Sequence, residues 1–403
     1  MDKEKKILII NQHSMNHGDE AAGLALVRTL YRAGFKDITV LYNMTSTDEQ
    51  ILLKYEDVNN IQPAFSNKRG ISKMIQLYLM YPNWLTRFFL GFFSNRFEIE
   101  RGYIQQADYI ISAPGGVNMG LYRDMMYVWR LREALVCQKK TAMYSPSIGP
   151  FQKDDFFSKL ATSILKRLDF LSLRDNQSYE YAESLGVDFL RSIDTAFLET
   201  PNLILPNGLI ETLPVNYVVI VPNELYRWHP RFKKHNKQKF QRLYLGLINK
   251  FTSKGVHVVL LPQLFGQGNL ADEEYFRTLK GENENVLVVS TKYNSDVQQA
   301  IIRKAKFVVG ARYHTIVFSI NNIVPFFCLS YEHKMKNMLE VLGLDALSVE
   351  ISIALDTPKE VIGAIWRSYL SSEDYMEEIA EANRIAKDKA FDTFFALKSR
   401  LLK

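Results

Sequence analysis

Arg312 and His314 stand two residues apart in Val308-Val309-Gly310-Ala311-Arg312-Tyr313-His314-Thr315. The arginine is always charged, and its planar fork fits a carboxylate or phosphate. The histidine can give or take a proton near neutral pH. Residues two apart in extended backbone point to one side, so this spacing predicts an anion clamp beside a general acid or base at a strand's end. After the next strand, Ser330-Tyr331-Glu332-His333-Lys334-Met335 brings Lys334 toward the same anion. A second arginine, Arg174, follows the strand-like Leu171-Ser172-Leu173, with Asp175 available to cap the helix behind it. Arg174 reads either as a second anion clamp or as half of a structural ion pair.

Three further turns could hold ligands. In Asn11-Gln12-His13-Ser14-Met15-Asn16-His17-Gly18-Asp19-Glu20-Ala21, Gly18 permits tight backbone geometry. The following helix offers unpaired N–H groups to an anion, and Asp19 is a candidate N-cap. The repeated glycines of a dinucleotide-binding turn are missing. Ala113-Pro114-Gly115-Gly116-Val117-Asn118 lets a ligand approach the backbone closely, and Ser145-Pro146-Ser147-Ile148-Gly149-Pro150-Phe151 has the same character.

The elements that must carry these turns show as short β-branched runs alternating with amphipathic, helix-length segments, the pattern of parallel β-α units. Strands are expected at 6–10, 38–42, 109–112, 141–145, 170–173 and 189–193, and helices at 19–33, 125–137, 156–167 and 177–185. A stretch at 200–214 with little periodicity reads as a linker. The pattern then restarts, with strands at 217–221, 257–261, 286–289, 307–309 and 326–329 and helices at 239–251, 273–279, 296–304 and 315–320. A last helical pattern covers 372–402. The layout predicts an α/β protein of two Rossmann-like domains, 1–205 and 215–403, with a cleft between them. Ligands are expected outside the carboxyl ends of the strands.

Composition sets bounds on this reading. The chain has 403 residues, 47 % of them hydrophobic and 23 % charged, as ordinary globular proteins do. Cys137 and Cys328 are too few for a disulfide framework and read as buried small hydrophobes. The charged start running straight into a strand lacks the apolar stretch of a secretory signal, so the cytoplasm is expected. No Asp-x-Asp pair and no zinc-spaced His/Cys cluster is present, so no metal is expected. The net charge of +6 does not imply nucleic acid. Arg227, Arg231, Lys233, Lys234, Lys237, Lys239 and Arg242 nevertheless follow one another without an acid, interleaved with Trp228 and Phe232. They read as a solvated face or as a phosphate-binding patch. The apolar insert at about 70–98 is interrupted by Pro82, Asn83 and Arg87, too soon for a membrane span. It reads as core packing or as an interfacial helix pair.

Taken in order, these segments resemble the polysaccharide pyruvyl transferase family. The resemblance rests on Asn16-x-Gly18-Asp19-Glu20-Ala21, Gly115-Gly116, Ser147-Ile148-Gly149-Pro150, Leu173-Arg174-Asp175-x-x-Ser178, Asp194-Thr195-Ala196-Phe197, Leu261-Pro262-Gln263, Arg312-Tyr313-His314 and Lys334. It spans about 7–344 and implies a GT-B-like arrangement of the two domains, the last helix crossing back to the first. It further implies phosphoenolpyruvate as co-substrate with no other cofactor, pyruvate passing to a sugar as a cyclic ketal and phosphate leaving. His314 would be the general acid. Arg174, Arg312 and Lys334 would hold the donor, with Tyr313 and Gly18 beside it, in the second domain's half of the site. Gly115, Gly116, Asn118 and Asp19 would face the acceptor. Pro114 stands where the family often has a third glycine, and Asn118 where it often has an acid, so the base that activates the hydroxyl is not identified. The acceptor implied is a hexose of a cell-surface polysaccharide precursor. The basic and aromatic stretches suggest that it is carried on a polyprenyl diphosphate at the inner face of the membrane. The competing readings are a sugar-nucleotide-dependent glycosyltransferase of the same architecture and a non-enzymatic scaffold.

Overall fold

Runs of Val, Ile and Leu bounded by turn residues form parallel strands whose side chains are buried on both faces. The computed structural model describes residues 5–13, 15–43, 58–61, 71–116, 118–152, 155–199, 201–233, 236–265 and 272–401. The first sheet contains β1 (Ile7–Gln12), β2 (Ile38–Tyr42), β3 (Val58–Ile61), β4 (Tyr109–Ser112), β5 (Lys140–Met143), β6 (Phe170–Leu173) and β7 (Leu190–Arg191). The second contains β8 (Tyr217–Val221), β9 (His257–Leu260), β10 (Val286–Val288), β11 (Phe307–Gly310), β12 (Phe326–Ser330) and β13 (Ser348–Glu350).

The strand orders are β3-β2-β1-β4-β5-β6-β7 and β10-β9-β8-β11-β12-β13, all neighbours parallel. Both are doubly wound sheets that reverse direction at a central pair. In the first, Ile7 lies opposite both Ile38 and Tyr109. In the second, Val218 lies opposite both Val258 and Phe307. The turns after β1 and β4, and those after β8 and β11, therefore open at the switch points where such sheets bind ligands.

The chain divides into two compact units. One comprises Met1–Ser14, Asp19–Glu199 and Lys389–Lys403, the other Met15–Gly18 and Thr200–Asp388. Within the second unit, Asn383 of the long helix Met376–Arg400 donates to the carbonyls of Ile320 (2.8 Å) and Asn321 (2.9 Å). Within the first, Thr393 of that helix bonds Ser192 (2.8 Å).

The expected strands are present, with ends exact or moved by at most two residues. Two edge strands, β3 and β13, were not legible as strands. The last helical pattern opens instead with a 3₁₀ turn, Ser372–Tyr375, and position 402 lies outside the described residues. The linker stretch contains one helical turn, Asn207–Ile210. The apolar insert is neither a single core helix nor a span. It forms Ile71–Met80 and Trp84–Phe93, followed by Arg96–Gln106. No helix among the described residues is long and apolar enough to cross a membrane.

Candidate active site

In the second unit the turn after β11 is fixed from below. The amide of Ala311 donates to the Val221 carbonyl (3.0 Å), and the Asn223 side chain donates to the Ala311 carbonyl (3.0 Å). Arg312 is extended (φ −129°, ψ 141°) and caps the helix Tyr313–Asn321. His314 therefore lies in that helix's first turn. The expectation that both side chains lean one way along a strand is corrected, because the strand has already ended at Gly310.

Arg312 Nη2 donates to Asp272 Oδ1. The other carboxylate oxygen of Asp272 accepts the amides of Gln263 (3.0 Å) and Leu264 (2.8 Å). Burial pushes the Asp272 carboxyl upward, while Arg312 and the two amides pull it down. The Leu261-Pro262-Gln263 turn is thus the support of Arg312, and Gln298 braces it by donating to the Pro262 carbonyl (2.6 Å). Arg312 Nε is buried with no hydrogen-bond partner among the described residues.

His314 is buried, and Gly18 explains how. A Cβ on Gly18 would lie 1.9 Å from His314 Nδ1, so only glycine lets the two elements meet. Gly18 is held by its own amide, which donates to Asn16 Oδ1 (2.8 Å), and by its neighbour His17, whose amide donates to the Gln263 carbonyl (3.0 Å). Asn16 thus caps the helix His17–Arg32. The expected cap, Asp19, is the third residue inside it. Lys334 Nζ sits 5.5 Å from the centre of the Tyr313 ring and 2.7 Å from Glu332 Oε2. Gly18, Arg312, Tyr313, His314 and Lys334 thus belong to one neighbourhood of the second unit.

The first unit treats its arginine differently. Arg174 Nη1 donates to the buried Asp194, Nη2 to the Gly115 carbonyl (2.8 Å) and Nε to Ser147 Oγ (3.3 Å). Its whole fork is engaged inside this unit, where it holds the Gly115-Gly116 turn in place. On the open side of that turn, the Cβ position of Gly115 is 3.7 Å from His13 Cδ2 and 4.0 Å from Asp19 Oδ1. His13 Nε2 contacts the Asn118 side-chain amide (2.9 Å). Asp124 is occupied as the N-cap of Met125–Val136, accepting the Met126 and Tyr127 amides and, at 2.9 Å, the Asn43 side chain.

The basic stretch loses much of its charge in the fold. Arg227 pairs with Glu224 (2.7 Å), Arg231 with Glu350 and Lys239 with Asp356 (2.7 Å). Phe232 is fully buried, and Trp228 packs edge-on against Tyr331. Three of the seven cations of this stretch are thus matched by acids from elsewhere in the second unit. Lys234, like Ser14 and Val117 of the turns, lies outside the described residues. Cys328 is buried in β12, whereas Cys137, expected to be buried, is half-buried behind the helix Met125–Val136.

The model of the polysaccharide pyruvyl transferase family matches residues 16–333. The chain belongs to this family. Among curated proteins it is 22 % identical to the amylovoran biosynthesis protein AmsJ of Erwinia amylovora, over 95 % of this chain and 97 % of that one. Its fold is similar to a putative UDP-N-acetylglucosamine 2-epimerase from Listeria monocytogenes, with a TM-score of 0.59, 11 % identity, and 98 % and 96 % of the two chains covered. It is equally similar to the trehalose-6-phosphate synthase OtsA, with a TM-score of 0.59, 10 % identity, and 99 % of each chain covered. These likenesses establish the two-Rossmann, GT-B-like architecture.

The family match takes in the turns around Gly18, Gly115, Arg174 and His314 and stops one residue short of Lys334. Reasoning from sequence missed Asp272 and His13. Asp272 opens an acidic first turn, Asp272-Glu273-Glu274, a sign of a helix start that gives no hint of an arginine 40 positions away. His13 was visible in its turn, but its partner Asn118 is brought to it only by the pairing of β1 with β4.

Proposed function

We propose that this family member transfers pyruvate from phosphoenolpyruvate to a sugar of a polysaccharide precursor, forming a cyclic ketal. The observation that carries the reading is the second-unit neighbourhood. It has a cationic fork with an unused buried N–H, an imidazole packed on a glycine, and a lysine over the intervening tyrosine. Such a set suits a small dianion that must be protonated on carbon.

In this reading Arg312 and Lys334 hold the carboxylate and phosphate of the donor. Protonated His314 delivers its proton to the enol carbon C3, and C2 becomes an oxocarbenium-like electrophile. One sugar hydroxyl adds to C2, phosphate departs, and a neighbouring hydroxyl closes the ring. Of the two hydroxyl protons released, one replaces the proton given up by His314 and the other leaves with phosphate. Arg174 acts from behind the Gly115-Gly116 turn as a positioning residue. His13, Asn118 and Asp19, around Gly115, are the groups we assign to the sugar hydroxyls. The relative in amylovoran biosynthesis supports a polymer precursor as acceptor; we take that precursor to be lipid-linked at the membrane face.

The test is thermal unfolding with millimolar phosphoenolpyruvate. A ligand that binds only the native state raises its melting temperature by mass action. The wild type should rise by several degrees, and Arg312→Ala should not. A wild type that ignores phosphoenolpyruvate but responds to a nucleoside diphosphate sugar would replace this reading with a glycosyltransferase.

A further inference from the structure

The helix Trp84–Phe93 buries Thr86 and Leu90 and turns its larger side chains outward. Trp84, Phe88 and Phe92 recur every four residues and are 78 %, 65 % and 63 % exposed. Leu85 and Phe89 lie beside this stripe, and Tyr81 continues it into the turn from the preceding helix, all exposed. Apolar patches of this extent on a folded surface mark a partner.

The patch is held firmly. Asn83 Oδ1 accepts the amides of Leu85 and Thr86 (3.0 Å each), and Thr86 Oγ1 donates to the Tyr81 carbonyl (2.6 Å). The preceding helix is tied down by Tyr78, which donates to Glu133, and by Arg132, which donates to the Leu79 carbonyl. Glu133 in turn accepts from Arg101 Nε (2.7 Å). A buried ionic cluster thus fixes which face of the hairpin points out.

Charge identifies the occupant. Between Asp57 and Glu98 the sequence holds Lys68, Arg69, Lys73, Arg87 and Arg96 and no acid; Arg96 is buried against Glu100, and Arg87 pairs with Glu98 (3.3 Å) at the surface. Lys73 and Arg87 are exposed on the hairpin itself. Pairing this face with a second copy across a twofold axis would bring its own cations together. A bilayer with anionic headgroups accepts both the cations and the rings, and tryptophan and tyrosine favour that interfacial depth. Ten residues rise only about 15 Å, half of a hydrocarbon core of about 30 Å, so the helix lies in the interface and does not span it.

We propose that the hairpin Ile71–Phe93 is a membrane-docking element that inserts Trp84, Phe88 and Phe92 into the headgroup boundary of an anionic bilayer. This does not depend on the donor or on the chemistry proposed above.

Flotation with phosphatidylcholine vesicles, with and without phosphatidylglycerol, tests it. The wild type should float with the anionic vesicles, more weakly as salt rises. The triple variant Trp84→Ser, Phe88→Ser, Phe92→Ser should bind at least tenfold more weakly. Its melting temperature should stay within a few degrees of the wild type's and its turnover of a soluble acceptor should be unchanged, because the three side chains are mostly exposed and lie outside the candidate site. Lys73→Glu with Arg87→Glu should weaken binding to the anionic vesicles alone. A wild type that stays unbound at low salt, or a triple variant that floats as well as the wild type, overturns the proposal. So does a concentration-dependent dimer that the triple variant abolishes, which would make a second copy the occupant.

Discussion

Two arginines follow strands in this protein, and the fold bonds them differently. Arg174, after β6, meets Asp194, and Arg312, just after β11, meets Asp272. Both carboxylates are buried. Arg174 is 2 % exposed and spends all three kinds of nitrogen on Asp194, Gly115 and Ser147. Arg312 is 11 % exposed, spends Nη2 on Asp272 and leaves Nε unbonded. We read the fork that is bonded at every nitrogen as scaffold. An unsaturated one beside a buried imidazole is a fork still able to take a ligand.

The largest effect should come from the imidazole. His314→Ala is expected to lower turnover by about 10²–10⁴-fold, the usual worth of a positioned general acid, while donor-induced stabilisation survives. Steady-state rates and thermal shifts on one preparation check both halves. Unchanged turnover would remove His314 from the chemistry and leave Arg312 as a binding group only. Next comes the scaffold arginine. Arg174→Met leaves Asp194 buried without its cation and should cost about 3–5 kcal/mol of stability, read by urea unfolding. Replacing Asp194 by Leu in the same chain should recover much of that loss. A variant that unfolds like the wild type but no longer binds phosphoenolpyruvate would break the comparison, making Arg174 a donor ligand after all.

The sheets were readable because buried parallel strands are written as short apolar runs. Residues 38–42, 109–112, 170–173 and 217–221 carry Val, Ile, Leu or Phe between turn residues and fold as read. The edge strand β3 is Val-Asn-Asn-Ile, with too little apolar content to stand out. Turns at strand ends were equally legible, which is why Gly18, Gly115 and His314 could be singled out. What a single sequence does not carry is pairing across distance. Arg231 stands in its basic run with no acid near it in sequence, and the fold supplies Glu350; Arg174 reads as anion clamp or ion-pair half, and the fold supplies Asp194. The alternation rule failed at His314 because it holds only while the strand lasts.

Gly18→Ala tests whether the contact with the imidazole is part of the site. The new Cβ would overlap His314 Nδ1, and neither element can retreat far. Gly18 is held by Asn16, and its neighbour His17 by Gln263. His314 must therefore rotate or shift, and a displacement of this size should lower turnover about ten- to hundredfold. The melting temperature should fall by a few degrees as well, since the overlap reaches His314 Cβ (2.5 Å), which ring rotation cannot relieve. A stability loss with normal turnover would reduce Gly18 to a packing residue.

The smallest effect returns to the two arginines. Arg312→Lys keeps one cation opposite Asp272, so the carboxylate stays paired and the fold should hold. The ammonium cannot bond Asp272 and a ligand along two separate edges as a guanidinium can. Donor affinity should therefore fall about tenfold, equivalent to about 1.4 kcal/mol, with a small change in melting temperature. Arg174→Lys should do the reverse, because no single ammonium reaches Asp194, Gly115 and Ser147 together. It should lower the melting temperature and leave the affinity of the folded fraction alone. If both lysine variants lost stability and kept donor affinity, Arg312 would be scaffold as well, and the anion would have to be held by Lys334 without it.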